Sequence, residues 1–221
     1  MPYRYDYPHP AVAVDIVVFT IDDADLKVLL IRRRGPPFAG GWALPGGFVG
    51  IDESLKRAAW RELREETGVS AGILEQLHTF GHPQRDPRER VISVAYLAPV
   101  PADRLRPEPA SDAREARLFS VSDLPLLAFD HAKILRLARE RLRQKLEKSV
   151  LPLELMGASF TLTELQRACE LILGVALDKR NFHKKVRIMD VIEATGEERR
   201  EGQHRPAKLY RVKSRRDLTD R

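Results

Sequence analysis

Cysteine is almost absent: the 221-residue chain holds one, Cys169. A single thiol excludes an internal disulfide framework and any multi-cysteine zinc site, and Cys169 reads as a core thiol. No apolar run approaches the roughly 20 residues of a membrane-spanning helix. The stretch Ala11–Thr20 (AVAVDIVVFT) is too short and is interrupted by Asp15. The first ten residues, MPYRYDYPHP, lack the apolar core of a secretory leader. These absences point to the cytoplasm and away from a membrane partner. What is present, 43% hydrophobic and 32% charged residues, is a globular balance that excludes a mostly disordered chain. The length suits one large domain or two small ones.

The formal net charge is +6, and it is unevenly spread. Lys179–Arg216 carries 13 Lys and Arg against 5 Asp and Glu, a net +8. That density suits a polyanionic partner, with a solvated basic surface as the alternative.

Ala11–Thr20 and Leu26–Ile31 read as a strand hairpin across the Asp22-Asp23 turn, and Gly35–Gly41 as a loop. Asp52–Thr67 reads as a helix stopped by Gly68, followed by strands at Ile73–Phe80 and Val91–Leu97 and a Pro-rich loop at Pro101–Ala110. Phe129–Lys148 has helical apolar spacing at Ile134, Leu137, Leu142 and Leu146, and His131, after Asp130, reads as a neighbour of the helix N-cap. Val150–Gly157 looks like a connector. The expected domains are 1–148 and 149–221.

On the first helix, Leu55, Ala58 and Ala59 form an inward face, and Glu62 and Glu66 fall on it with Glu65 beside them. Carboxylates on a buried face need compensation, and three that converge repel one another. A hard divalent cation with oxygen ligands, Mg²⁺ or Mn²⁺, answers both. Just upstream, Gly46 and Gly47 permit close approach of backbone to ligand or metal.

These residues carry a resemblance. Gly47, Glu53, Arg61, Glu62, Leu63, Glu65, Glu66, Gly68 and Val69 fill every position of the Nudix box, and Trp42–Val49 (WALPGGFV) resembles the segment that precedes it. The resemblance implies an α+β fold, a mixed sheet between helices, and cleavage of a nucleoside diphosphate linked to another group. It implies metal ligands at Glu62, Glu65, Glu66 and the Gly47 carbonyl, with Glu53 and Arg61 orienting them. The general base stays open between Glu62 and a carboxylate outside the box, Asp112 or Glu115. Pro83, 15 residues beyond Gly68, and the Phe129-Asp130-His131 triplet are similar to the ADP-ribose pyrophosphatase group. Pro83 and Arg85 are therefore candidate ligand contacts, although Arg85, Arg88 and Arg90 also fit a solvated hairpin. Trp42 lines the nucleotide pocket or packs in the core, and Trp60 reads as core.

The C-terminal segment has a capping-box pattern at Thr161 and Glu164, a helix to Leu173 and a stop at Gly174. Asp178 then caps a second helix, Lys179–Asp190, whose face of Phe182, Val186 and Met189 is apolar and whose face of Arg180, His183, Lys184 and Arg187 is basic. Such a helix after a short turn is what reading a major groove requires. Val191–Glu193 and Ala207–Val212 form a hairpin with residues 196–205 as its tip. Asp178–Lys185 (DKRNFHKK) and Arg205–Val212 (RPAKLYRV) resemble the winged helix of Nudix-related transcriptional regulators of NAD metabolism. That family implies a homodimer on double-stranded operator DNA and ADP-ribose, or a related nucleoside diphosphate, as effector. It points to DNA contacts at Lys179, Arg180, Asn181, His183, Lys184, Arg187, Arg205 and Lys208. Many members have a decayed box; the intact one here keeps hydrolysis open, as does the alternative of a plain hydrolase whose C-terminal domain only dimerises.

Overall fold

The computed structural model describes residues 6–105, 113–148, 152–200 and 206–213. Asp112, Arg205 and the 149–151 end of the connector lie outside them. Two long strands, β1 (Ala11–Asp22) and β2 (Asp25–Arg33), form the expected hairpin. Short strands β3 (Trp42–Ala43) and β4 (Gly46–Phe48) follow, then helix α1 (Leu55–Thr67), β5 (Glu75–Phe80), β6 (Val91–Pro99), β7 (Ala113–Ser120) and helix α2 (His131–Glu147). The sheet runs β3-β2-β1-β6-β5, with β4 on β1 and β7 on β2; β1 and β6 are parallel and the other pairings antiparallel.

Strand alternation sorts the core into two layers. Val14, Ile16 and Val18 pack with Ala58, Ala59 and Leu63 of α1, while Val17 and Phe19 pack with Ile134, Leu135 and Ala138 of α2. One helix covers each face, the sandwich implied by the box. The boundaries differ in instructive ways. Helix α1 starts three residues later than Asp52, because Ser54 caps it by accepting the Arg57 N–H and Glu53 is drawn elsewhere. Strand β7 was missed: its alternation of Ala116 and Leu118 against Arg117 and Phe119 is masked by charge at three of its eight positions. Trp60 is not core; it lies on the outer face of α1, 40% exposed, with the Lys56 ammonium 5.0 Å from its ring centre.

The C-terminal unit comprises helices α3 (Leu162–Leu173) and α4 (Lys179–Met189) and a hairpin of β8 (Ile192–Arg199) and β9 (Ala207–Val212). The Thr161–Glu164 capping box is formed in both directions. Strand β8 runs to Arg199, beyond the expected Glu193, because an irregularity between Ala194 and Glu198 absorbs Gly196 and lets pairing resume at Glu198–Lys208. Phe160 joins Tyr210 through two backbone hydrogen bonds of 2.8 and 2.9 Å.

No boundary divides the core. Leu142 and Leu146 of α2 share one buried cluster with Leu155, Phe160, Leu165, Cys169, Phe182 and Val186. Burial pushes the Cys169 thiol up to about 12, which keeps it protonated and inert. Among the described residues no helix is long and apolar enough to cross a membrane. Phe160, 2% exposed, anchors the junction. Replacing it with Ala is expected to cost about 3–5 kcal/mol, read as a lower midpoint in urea unfolding.

Candidate functional site

The acidic face of α1 is organised around one guanidinium. Arg61 donates to Glu53 Oε1 (2.6 Å) and Oε2 (3.1 Å), Glu62 (2.7 Å), Glu65 (3.1 Å) and the Phe48 carbonyl (3.1 Å), engaging all five of its donors. Hydrogen bonds from Arg61, then from the Gly50 N–H, hold the Glu53 carboxyl down at about 2. Glu62 goes the other way: burial raises it above the ordinary range, only partly offset by Arg61. Glu66, 8% exposed, accepts the Gly46 N–H at 2.8 Å.

Gly46 is required by backbone contact, and Gly47 leaves room for a carboxylate. A Cβ on Gly46 would lie 2.1 Å from the Val14 carbonyl oxygen. One on Gly47 would lie 2.5 Å from the Glu62 carboxylate. The β4 turn therefore brings Gly47 against Glu62, with Glu66 tied to the neighbouring amide. Glu62, Glu65, Glu66 and the Gly47 carbonyl offer oxygen donors only, the chemistry that would suit Mg²⁺ or Mn²⁺. Arg61 is the cation between them in this conformation, and no three Asp, Glu, His or Cys groups among the described residues converge on a common point. A metal ion would take over Glu62 and Glu65 from Arg61, leaving Arg61 on Glu53.

Beside the box lies a small pocket of about 50 Å³, lined by Gly46, Gly47, Phe48, Arg33, Arg85 and Phe129 among others. Its wall is a buried ion-pair network. Arg85, its side chain 4% exposed, donates to Asp130 (2.8 and 3.3 Å) and to Asp15 (3.1 Å). Asp15 also accepts from Ser93 and sits 3.3 Å from His131 Nε2. Because His131 Nδ1 accepts the Leu44 N–H at 2.9 Å, the imidazole proton resides on Nε2 and points at Asp15. Burial alone would raise the Asp15 carboxyl, but His131, Arg85 and Ser93 outweigh it and leave it at about 2.

The other candidates are dispersed. Arg85 is no solvated hairpin residue. Arg88 is, in part: it pairs with Asp86 at 2.7 Å, its guanidinium 5.3 Å from the Phe48 ring centre. Pro83 is exposed and absent from the pocket wall. Trp42 packs edge-on against Phe119 at 4.6 Å and joins the α2-side core. Glu115 pairs with Arg32 at 3.8 Å, in phase with Phe119 and so on the sheet face away from α1. The network residues Asp15, Ser93 and Asp130 were not anticipated. The available signal was Asp15 itself, a carboxylate inside an otherwise apolar strand.

On α4, Lys179, Arg180, Asn181, Lys184 and Arg187 are exposed, while Phe182 and Val186 are buried. No described carboxylate pairs with those cations. His183 is half-buried, and its Nε2 is buried without a partner among the described residues. Burial, then Lys179 and Arg187, lowers its pKa. Lys208 is exposed on β9. Arg199 and Arg211 are held at 2.7 Å by Glu164 and Glu193.

Residues 9–138 match the NUDIX domain family, and residues 152–212 match the NrtR DNA-binding winged helix domain. The chain belongs to the Nudix family. Its second matched domain places it among Nudix proteins that carry an NrtR-type winged helix. It is 39% identical over 211 residues to the ADPR responsive transcriptional repressor NtrR of Acinetobacter baylyi, covering 94% of this chain and 84% of that protein. It is 44% identical over 130 residues to the ADP-ribose pyrophosphatase of Methanocaldococcus jannaschii, covering 59% and 73%. The crystal structure of Shewanella oneidensis NrtR complexed with a 27mer DNA superimposes with a TM-score of 0.80 at 37% identity, covering 91% of this chain and 93% of that one.

The Asp15 network of this Nudix domain has a pH signature. A carboxyl held at about 2, against an ordinary 3.8, contributes about 2 kcal/mol that is fully present above pH 4 and is lost as pH falls towards 2. Asp15→Asn is therefore expected to be less stable at neutral pH and to show a shallower loss between pH 4 and 2, measured by denaturant unfolding across that range.

Proposed function

We propose that the chain is a DNA-binding transcriptional repressor of NAD-metabolism genes whose Nudix domain binds ADP-ribose. The observation that carries this reading is the row of exposed cations on α4, none paired with a carboxylate among the described residues, displayed by a unit that matches a DNA-binding winged helix. Lys179, Arg180, Lys184 and Arg187 supply the charge that releases counterions from a phosphate backbone, and Asn181 and Arg180, near the helix start, lie where base edges are read. Lys208, exposed on β9, adds a phosphate contact, and Arg205, three residues earlier in sequence, adds a second positive charge. A homodimer on a palindromic operator matches two-fold protein symmetry to two-fold DNA symmetry. ADP-ribose as effector is supported by the relative named for its response to it.

The same domain retains hydrolysis of ADP-ribose to AMP and ribose 5-phosphate. The intact box supports this, with Glu62, Glu65, Glu66 and the Gly47 carbonyl holding Mg²⁺ or Mn²⁺ and Glu53 holding Arg61 in position. The metal, when bound, neutralises diphosphate charge and activates water. Glu62, which lies against Gly47 at the box turn, would serve as the general base. Arg85 faces the diphosphate from the pocket wall.

Two measurements test this reading. Arg180→Ala with Lys184→Ala is expected to weaken operator binding at least tenfold in fluorescence anisotropy and to flatten its salt dependence, while AMP release from ADP-ribose is retained. Equal loss of both would overturn the division of labour. Glu62→Gln is expected to lower AMP release at least a hundredfold while operator binding in the absence of nucleotide is retained. Undiminished turnover would remove Glu62 from the site.

A further inference from the structure

Helix α2 starts at the pocket and ends at the DNA-binding unit. Its N-cap position, Asp130, is bound to Arg85, and its first residue, His131, to Leu44 and Asp15. About 17 to 23 Å further on, Leu142 and Leu146 pack with Cys169 and Phe182, and Arg143 donates to the Leu173 carbonyl at the end of α3 at 2.6 Å. Three clefts open along the junction: two of about 470 and 360 Å³ flank Met156 and Gly157, and one of about 330 Å³ lies beside Leu146, Cys169 and Phe182.

The N-terminus of α2 is anomalous. The other three helices each have a side-chain cap, from Ser54, Thr161 and Asp178, on residues with extended ψ of 155°, 159° and 118°. Asp130 has an excellent capping side chain, yet it makes no cap bond and sits at φ −97°, ψ 20°. Its carboxylate is instead turned onto Arg85. The preceding residue, Phe129, is held in the left-handed region at φ 53°, a costly conformation for an aromatic residue.

We propose that Asp130 is a two-position switch, paired with Arg85 in the free protein and capping the first turn of α2 once an anionic ligand draws Arg85 away. The inference rests on the reading of this pocket as the ADP-ribose site. Arg85 is shared by two carboxylates, and only one can yield. Asp15 is additionally bound by Ser93 and His131, whereas Asp130 has no other side-chain partner among the described residues. A diphosphate against the pocket wall competes for the guanidinium and releases Asp130. Capping then requires residue 130 to rotate towards extended ψ, which resets the first turn of α2. The helix carries that change to α3 and α4 through Leu142, Leu146 and the Arg143–Leu173 hydrogen bond. The two states thus differ in a named contact, which is what coupling between sites demands.

The test uses the full-length protein, an operator duplex and ADP-ribose at a saturating level established for each variant. Asp130→Asn and Asp130→Ser keep a capping side chain but cannot form the ion pair; Asp130→Ala has neither. The Asn and Ser variants are expected to bind operator, without ligand, as the wild type does with ligand, and to respond to ADP-ribose less than about threefold. The Ala variant is expected not to mimic the liganded state. Asn and Ser variants that behave like the ligand-free wild type and respond fully would overturn the switch. A wild type insensitive to ADP-ribose would overturn the functional reading. In that case hydrogen exchange of the first-turn amides of α2, read with no ligand, still decides: slower exchange in Asp130→Asn than in wild type supports the switch, and equal exchange overturns it.

Discussion

One buried carboxylate organises the Nudix domain. Asp15 sits in the middle of β1, 6% exposed, where desolvation would expel a lone charge. It stays ionised because Arg85, Ser93 and His131 converge on it from the 81–90 loop, β6 and α2. Satisfying that charge fixes three elements that are distant in sequence. The Leu44 N–H bond to His131 adds the segment leading into the Nudix box. Pocket wall, box turn and α2 start are therefore a single bonded unit.

The two arginines of the site work in opposite regimes. Arg61 is one-third exposed and gathers Glu53, Glu62 and Glu65. It keeps like charges close together at modest desolvation cost. Arg85 is almost fully buried and depends on two carboxylates to remain so. An exchange at Arg61 is local to α1. One at Arg85 alters the start of α2, so the pocket is wired mechanically as well as chemically.

The winged-helix unit shares its core with the Nudix domain through the end of α2. Within that unit, charge is divided by face: Arg199 and Arg211 are tied to Glu164 and Glu193, while the α4 cations are exposed. A surface binding a polyanion requires unpaired charge, and a scaffold cation serves better when paired. Composition alone does not distinguish Arg199 and Arg211 from Lys208; geometry does.

Much of this was legible in the linear chain. The box spacing put Glu62, Glu65 and Glu66 on one side of α1, the caps at Thr161 and Asp178 were readable, and the apolar and basic faces of α4 followed from helical period. Those are local properties, set within a few residues by backbone geometry. His131 as the fixed acceptor of Leu44, Arg85 as a buried hub, Trp42 in the core and the uncapped start of α2 were not legible. Each depends on which distant groups meet: Arg85 and Asp130 are 45 residues apart, and His131 and Leu44 are 87 apart. The sequence by itself determined the chemistry available and the faces that display it. Tertiary structure decided which charges are paired and which are free, because pairing is a matter of distance in space, and the dielectric that sets its strength exists only once the core has closed.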